Sequence, residues 1–291
     1  MRKWLLISCL VVLAGGWACD RGEEGGEAVG QLQSENWPDE PSRVVSMAPT
    51  ITELLFELGM GDQVVAVTRY CDWPDEAAEL PTIGGMLDPD FEAILAVEPD
   101  VVVGVIDGAD HGVVERLEGA GVAYGFVAMD GLESIREGIP VMGGWMEREG
   151  RAGELVEDFD TEIGAASKRL KSQRGDEERA LMVFDREPIV AAGPGSYGDE
   201  LLRAAGFENA VGADAGAYPV LDVEKLLALD PEVVIDVTID ADEAVGAAYW
   251  ERFDRLDAVE SGGLFHIDDP VMMRPGVRIP EALNTLYHAL E

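Results

Sequence analysis

The sequence predicts an α/β protein of two Rossmann-like lobes, each built on a mostly parallel central sheet, joined by one long α-helix. Three observations carry this. On both sides of the chain's middle, short continuous apolar runs alternate with helix-patterned segments, the signature of parallel strands covered on both faces. The middle has no convincing strand from Leu132 to about Ser172, and there Leu155, Phe159, Ile163, Ala166 and Leu170 recur at spacings of four, four, three and four, one apolar stripe along a helix. Finally, "LDPDFEAILAVEPDVVVGV", starting at Leu87, has an echo in "LDVEKLLALDPEVVIDV", starting at Leu221. Asp90 aligns with Asp222, Glu92 with Glu224, Leu95–Ala96 with Leu227–Ala228, and Pro99 with Pro231. The separation is too long for a solenoid repeat of roughly 20–50 residues, and it puts one copy in each lobe.

The elements follow in order. Residues 1–18 carry Arg2 and Lys3, then an apolar run too short for a bilayer span of about 20 residues, which reads as a secretory signal. Gly16 and Ala18 are small residues at the −3 and −1 positions before Cys19. Residues 19–41 are rich in Gly and Glu without periodicity and read as a flexible tether. The first lobe, 42–131, opens with the strand "RVVSMA". Thr50 is expected to cap the next helix, with Glu53 completing a capping box and Leu54, Leu55 and Leu58 forming the apolar face. The strand "VVAVTR" follows. Asp88 is expected to cap the helix of the first echo unit, with Pro89 at its first position. The strand "VVVGV", a helix over "GVVERLEGAG" and the strand "AYGFV" complete the lobe. Residues 132–173 form the helical segment with the bridging helix. The second lobe, 174–291, contains the strands "RALMVFDR" and "PIVAAG", the helix "GDELLRAAG", the echo unit with Asp222 as cap, the strand "GLFHID" and a final helix over "IPEALNTLYHAL".

Charge narrows the function. The net charge of −37, from 58 acidic against 21 basic side chains, excludes nucleic acid and anionic membrane surfaces as partners, since both need basic patches. Of three cysteines, Cys9 lies in the signal and Cys19 at its end, leaving Cys71 without a partner for an internal disulfide. His111, His266 and His288 have no zinc-ligand spacing, and no G-x-S-x-G elbow occurs. "GPGSYG" at 193–198 matches G-x-G-x-x-G, follows a strand and opens a helix; it keeps open a second class of reading, an exported enzyme binding a dinucleotide there.

Three stretches are candidates for binding. Glu92 and Glu224 sit in the first turns of the echoed helices; offsetting the helix dipole explains either alone, but a matched pair also suits two arginines of a symmetric partner. "RYCDWP", 69–74, follows a strand end, where α/β clefts bind ligands, and offers the flat faces of Tyr70 and Trp73. "DDPVMMRPGVRI", 268–279, links the last strand to the last helix; Arg274 or Arg278 could bind an anionic group, Arg274 being favoured because Arg278 can equally neutralise neighbouring acids, and Met272 and Met273 add apolar surface.

Signal, tether, "RVVSMAPTITELLFELGMGDQVVAVTRYCDWP", the echo unit and the closing "RPGVRI" together resemble an ABC-importer substrate-binding protein of the helical-backbone class, the class of vitamin B12- and ferric-siderophore-binding proteins. The resemblance covers essentially the whole chain from Arg43. It implies no catalysis, but capture of a ligand between two lobes and delivery to an ABC permease dimer with its ATPase. It places Glu92 and Glu224 at the permease-docking positions and Cys19 at the lipidation site. It implies a ligand face of Pro49, Tyr70, Asp72, Trp73 and Met86 from one lobe, with Tyr218, Met272 and Arg274 from the other. Met86 and Val105 stand where the vitamin B12 binder has tryptophans. The ligand it implies is a cobalamin-type corrinoid, with a ferric siderophore or haem as the alternative; an anionic siderophore would call on arginines, for which Arg69, Arg186 and Arg274 are the candidates. The protein is expected to be an exported monomer, touching the membrane only through an N-terminal lipid, with no metal of its own.

Overall fold

The computed structural model describes residues 30–106, 111–173, 178–239 and 243–291. The signal and Cys19 lie outside these. In the first lobe β1 (Gln31–Gln33) and β2 (Val44–Ser46) precede α1 (Pro49–Glu57), β3 (Val64–Ala66), α2 (Asp75–Ala78), α3 (Phe91–Ala96), β4 (Val101–Val105), α4 (His111–Ala120) and β5 (Ala123–Val127). The strand order is β1-β5-β4-β2-β3, parallel except for β1. Buried on both faces, β4 and β5 read as unbroken apolar runs, which is why the sequence displays them so plainly.

β1 corrects one expectation. Residues 30–41 are not all tether: β1 pairs antiparallel with β5, and Trp37 packs on Trp145 at 5.4 Å between ring centroids. Its indole Nε1 donates to the Trp145 carbonyl at 3.0 Å. Gly125 of β5 makes room for this pair, since a Cβ there would meet both indoles at 2.8 and 2.9 Å.

α5 (Leu132–Trp145) and α6 (Glu149–Gln173) bridge the lobes. At 25 residues, α6 is about 37 Å long at 1.5 Å per residue. Leu155, Phe159, Ala166 and Leu170 of the predicted stripe are buried, as the helical period requires.

The second lobe runs β6 (Arg179–Arg186), β7 (Ile189–Ala191), α7 (Tyr197–Ala205), β8 (Glu208–Asn209), β9 (Val220–Leu221), α8 (Val223–Leu229), β10 (Val233–Asp236), α9 (Glu243–Glu251), α10 (Asp257–Ser261), β11 (Leu264–His266) and α11 (Ile279–Ala289). Its sheet has the order β11-β10-β6-β7-β9, with β8 beside β6. β11, β10, β6 and β8 are parallel; the pairings of β7 are antiparallel.

The lobes do not have fully separate cores. One apolar cluster runs from Ile51, Leu54 and Leu55 of α1 through Phe159 and Leu170 of α6 to Leu201 of α7 and Leu283 of α11. Through this cluster the two lobes share a continuous core.

Candidate functional site

The start of α1 and the carboxyl ends of β4 and β5 form the rim of the first lobe. The segment between β11 and α11, led by the 3-10 turn Pro270–Met273, reaches this rim from the second lobe. Thr50 Oγ1 donates to the Pro275 carbonyl at 2.6 Å. Arg274 grips both oxygens of Asp72, its Nη2 donating to Oδ2 at 2.8 Å. Arg278 lies over the Trp73 ring, 4.6 Å from its centroid, and donates to both oxygens of Glu281 at 2.7 and 2.8 Å. Residues 50, 72 and 73 of one lobe and 274, 275 and 278 of the other therefore make a polar latch.

Glu53 lies within it. The expected capping box is not formed: α1 begins at Pro49 behind Ala48, which makes no side-chain cap. Thr50 is left to bond across the cleft, and Glu53 is buried at 2% exposure. Arg278 Nη1 is 3.7 Å and Arg274 Nη1 3.9 Å from Glu53 Oε1, near enough for ion pairing but too far for hydrogen bonds, and Oε1 has no hydrogen-bond partner. Burial pushes the carboxyl up to about 7, although Arg278 and then Arg274 pull it down. Asp72 moves the opposite way: the Arg274 hydrogen bond holds it below its ordinary value. Sequence reasoning missed Glu53 because Thr, two residues, then Glu is also the capping-box pattern. The available signal was Pro49, which suits a first helical position and moves the cap back to Ala48.

A cavity of about 250 Å³ opens beside the latch. Pro49, Thr50, Met86, Val105, Ile106 and Met129 line it from the first lobe, and Met273, Arg274 and Pro275 from the second. Of the expected ligand residues it collects Pro49, Met86 and Arg274. Tyr70 and Tyr218 are 53% and 52% exposed and do not line it. Tyr70 lies beneath Arg69, and Tyr218 meets Phe184 edge-on at 5.8 Å. Asp72 is occupied by Arg274. Two expectations are corrected. Trp73, under Arg278, lines a separate cavity of about 230 Å³ against Leu155 and Phe159 of α6. Met272 is fully buried in the core, and its neighbour Met273 faces the cleft instead.

Each arginine named as an anion receptor is already paired. Arg69 Nη2 is 2.5 Å from Asp88 Oδ2. Arg186 Nε donates to Asp236 Oδ2 at 2.6 Å in a buried cluster with Trp250, whose Nε1 donates to the same oxygen at 2.6 Å. Arg274 holds Asp72. α3 begins at Phe91, so its cap is not Asp88 but Asp90, accepting from the amides of Glu92 and Ala93 at 3.0 and 3.1 Å. Asp222 caps α8 as expected, through Lys225 N at 2.8 Å. Glu92 and Glu224 both fall in the first turn and are exposed.

The glycine loop at 193–198 is not shaped for a dinucleotide. Three of its amides are spent internally: Gly193 N donates to Ala217 O at 2.8 Å, Gly195 N to Asp199 Oδ2 at 3.1 Å, and Ser196 N to Gly193 O at 3.1 Å. The Ser196 hydroxyl caps α7. A phosphate needs such amides free. The Cys71 thiol is buried between Thr52 and Thr68, and burial raises its pKa, the reverse of a nucleophile's environment. Among the described residues no group of His, Cys, Asp and Glu could hold a metal ion, and no helix is long and apolar enough to cross a membrane.

A family model described as "Periplasmic binding protein" matches residues 44–270. A vitamin B12-binding protein of Vibrio parahaemolyticus is 25% identical over 249 residues, covering 86% of this chain and 88% of its own length. A Bacillus subtilis protein named as an ABC transporter substrate-binding lipoprotein is 24% identical over 258 residues, covering 86% and 80%. Among solved structures, a periplasmic haem-binding protein of Pseudomonas aeruginosa superposes with a TM-score of 0.77 at 25% identity, covering 86% of this chain and 92% of that one.

Proposed function

The chain belongs to the periplasmic binding protein family, and on that premise we propose that it captures a cobalamin-type corrinoid between its lobes and delivers it to the permease of an ABC importer. Its relatives are solute-binding proteins of ABC transporters, not enzymes, which gives it a small-molecule ligand and a permease–ATPase partner. The ligand is the finer step. The observation that carries it is the pairing of Arg69, Arg186 and Arg274 with Asp88, Asp236 and Asp72. An anionic siderophore, or the carboxylates of haem, would need at least one such cation released from a carboxylate; the carboxamide arms of a corrinoid make no such demand. The methionine-lined cavity suits one apolar edge of a macrocycle, thioethers being adaptable packing groups. At about 250 Å³ it takes that edge, and the rest of the ligand lies outside it, where the exposed rings of Tyr70 and Tyr218 are the proposed contacts. Haem or a ferric siderophore is the second reading, favoured by the haem-binding relative.

Delivery uses Glu92 and Glu224, one exposed on each lobe, as anchors on basic residues of the two permease subunits. Export and a lipid on Cys19 fit the relative named as a lipoprotein, and one lipid-tethered monomer per docked transporter completes the arrangement. The test is a visible absorption spectrum after incubation with cyanocobalamin, haem and ferric siderophores in turn, followed by desalting. Retention of the cobalamin bands at one ligand per chain is the expected result; retention of haem or siderophore alone overturns the corrinoid assignment.

A further inference from the structure

The echo units carry more than their glutamates. Most identities between them have a structural reason in both lobes. Asp90 and Asp222 cap their helices. Val101 and Val102, like Val233 and Val234, are buried strand residues. Three more identities are exposed in both copies, Glu92 and Glu224, Leu95 and Leu227, Ala96 and Ala228; the helix dipole gives the glutamates a local reason, but nothing local requires the leucines and alanines. Leu95 is 44% and Leu227 40% exposed. Neither glutamate forms an ion pair among the described residues. The three positions stand at i, i+3 and i+4, so each set lies on one face of its helix. The neighbours off that face differ freely: Phe91 against Val223, and Ala93 against Lys225.

We infer that the docking element is this whole face, glutamate, leucine and alanine, used once on each lobe against the same socket on each of two identical permease subunits. The inference rests on the reading of the glutamates as permease anchors and extends it. Two identical faces on one chain are used together only by a partner that offers the same socket twice, which is a two-fold symmetric dimer. The socket's chemistry follows from the face: a basic side chain for the carboxylate, an apolar recess for the leucine, and a closely approaching backbone or small residue over the alanine. The leucine excludes water from the ion pair, which raises its strength and shields it from salt.

The test uses full-length protein and its permease–ATPase complex in lipid nanodiscs, with binding measured at two salt concentrations. Leu95→Ser and Leu227→Ser should each weaken binding about tenfold, by loss of one desolvated apolar contact, and should steepen its salt dependence. Ala96→Leu and Ala228→Leu, which keep helix propensity, should weaken it by steric block. Melting temperature and ligand retention should stay at the wild-type values. Leucine and alanine variants that bind within about twofold of wild type, while Glu92→Ala and Glu224→Ala lose binding, overturn the extended face and leave the glutamate anchors standing. Unchanged binding by the glutamate variants instead overturns the anchor reading and, with it, the face that rests on it.

Discussion

Replacing Glu53 by glutamine tests the latch at its most loaded point. Its carboxyl titrates at about 7 in the folded protein instead of 4.5, because burial outweighs the two arginines. A folded value above the unfolded one means that the native state holds the proton more tightly. Between about pH 4.5 and 7 the native protein therefore binds more protons than the unfolded chain, and stability falls as pH rises through that window. At about 1.4 kcal/mol per pKa unit, the loss attributable to this group is about 3 kcal/mol, complete slightly above pH 7. Glutamine keeps the shape of the protonated acid and does not titrate. Glu53→Gln should match wild type near pH 4.5 and exceed it by about 3 kcal/mol near pH 8, in urea titrations followed by tryptophan fluorescence. Taking the difference between the two proteins at each pH cancels the titration of carboxylates remote from Glu53; Asp72 and Glu281, which push its pKa up, respond to the substitution, Asp72's own shift having the opposite sign. A difference that stays flat with pH refutes the buried, shifted glutamate. A difference that turns against glutamine as pH rises shows that Arg274 and Arg278 outweigh desolvation.

Two further outcomes follow from the bridge between the lobes. Phe159→Ala removes a fully packed ring from the stripe of α6, 3% exposed, and should cost about 3–5 kcal/mol in urea denaturation. Arg274→Ala removes the grip on Asp72 while leaving the shared core intact; spin labels, one on each lobe, should report a broader interlobe distance distribution in the ligand-free protein, with little change in melting temperature.

Much of the fold was legible because it rests on short-range pattern. β4 and β5 are continuous apolar runs, and the stripe of α6 repeats over four turns, so both elements appear from the sequence with close boundaries. The duplicated unit was legible for the same reason. What the sequence hid depends on contacts between segments far apart in the chain. β1 is three exposed residues, Gln31, Leu32 and Gln33, only one of them apolar, and becomes a strand only because the edge of β5 accepts it. Trp73 and Arg274 both looked like ligand contacts, since a loop at a strand end is the usual place for them. Which way each faces is decided by Arg278 and Asp72, and no local pattern encodes that choice. Met272 and Met273 are indistinguishable in composition; the 3-10 turn buries one and exposes the other.

The latch and the bridge limit motion in complementary ways. A two-lobed protein linked only by flexible strands can open widely, and its affinity then bears the cost of closure. Here α6 spans the lobes as one uninterrupted helix, and the core from α1 to α11 is shared across them, so large hinge angles would tear apolar contacts along its whole length. The remaining freedom lies at the cleft rim, where Thr50, Asp72 and Glu53 face Pro275, Arg274 and Arg278. Apart from the buried Glu53, these contacts are polar and partly exposed, each contributing little by itself, and they can be exchanged for ligand contacts without disturbing the core. A cleft held nearly preformed, with an adjustable polar edge, suits a rigid, flat ligand that need not be enveloped. It also keeps Glu92 and Glu224 at a near-constant separation, the condition that their proposed docking on a symmetric partner requires whether or not the cleft is filled.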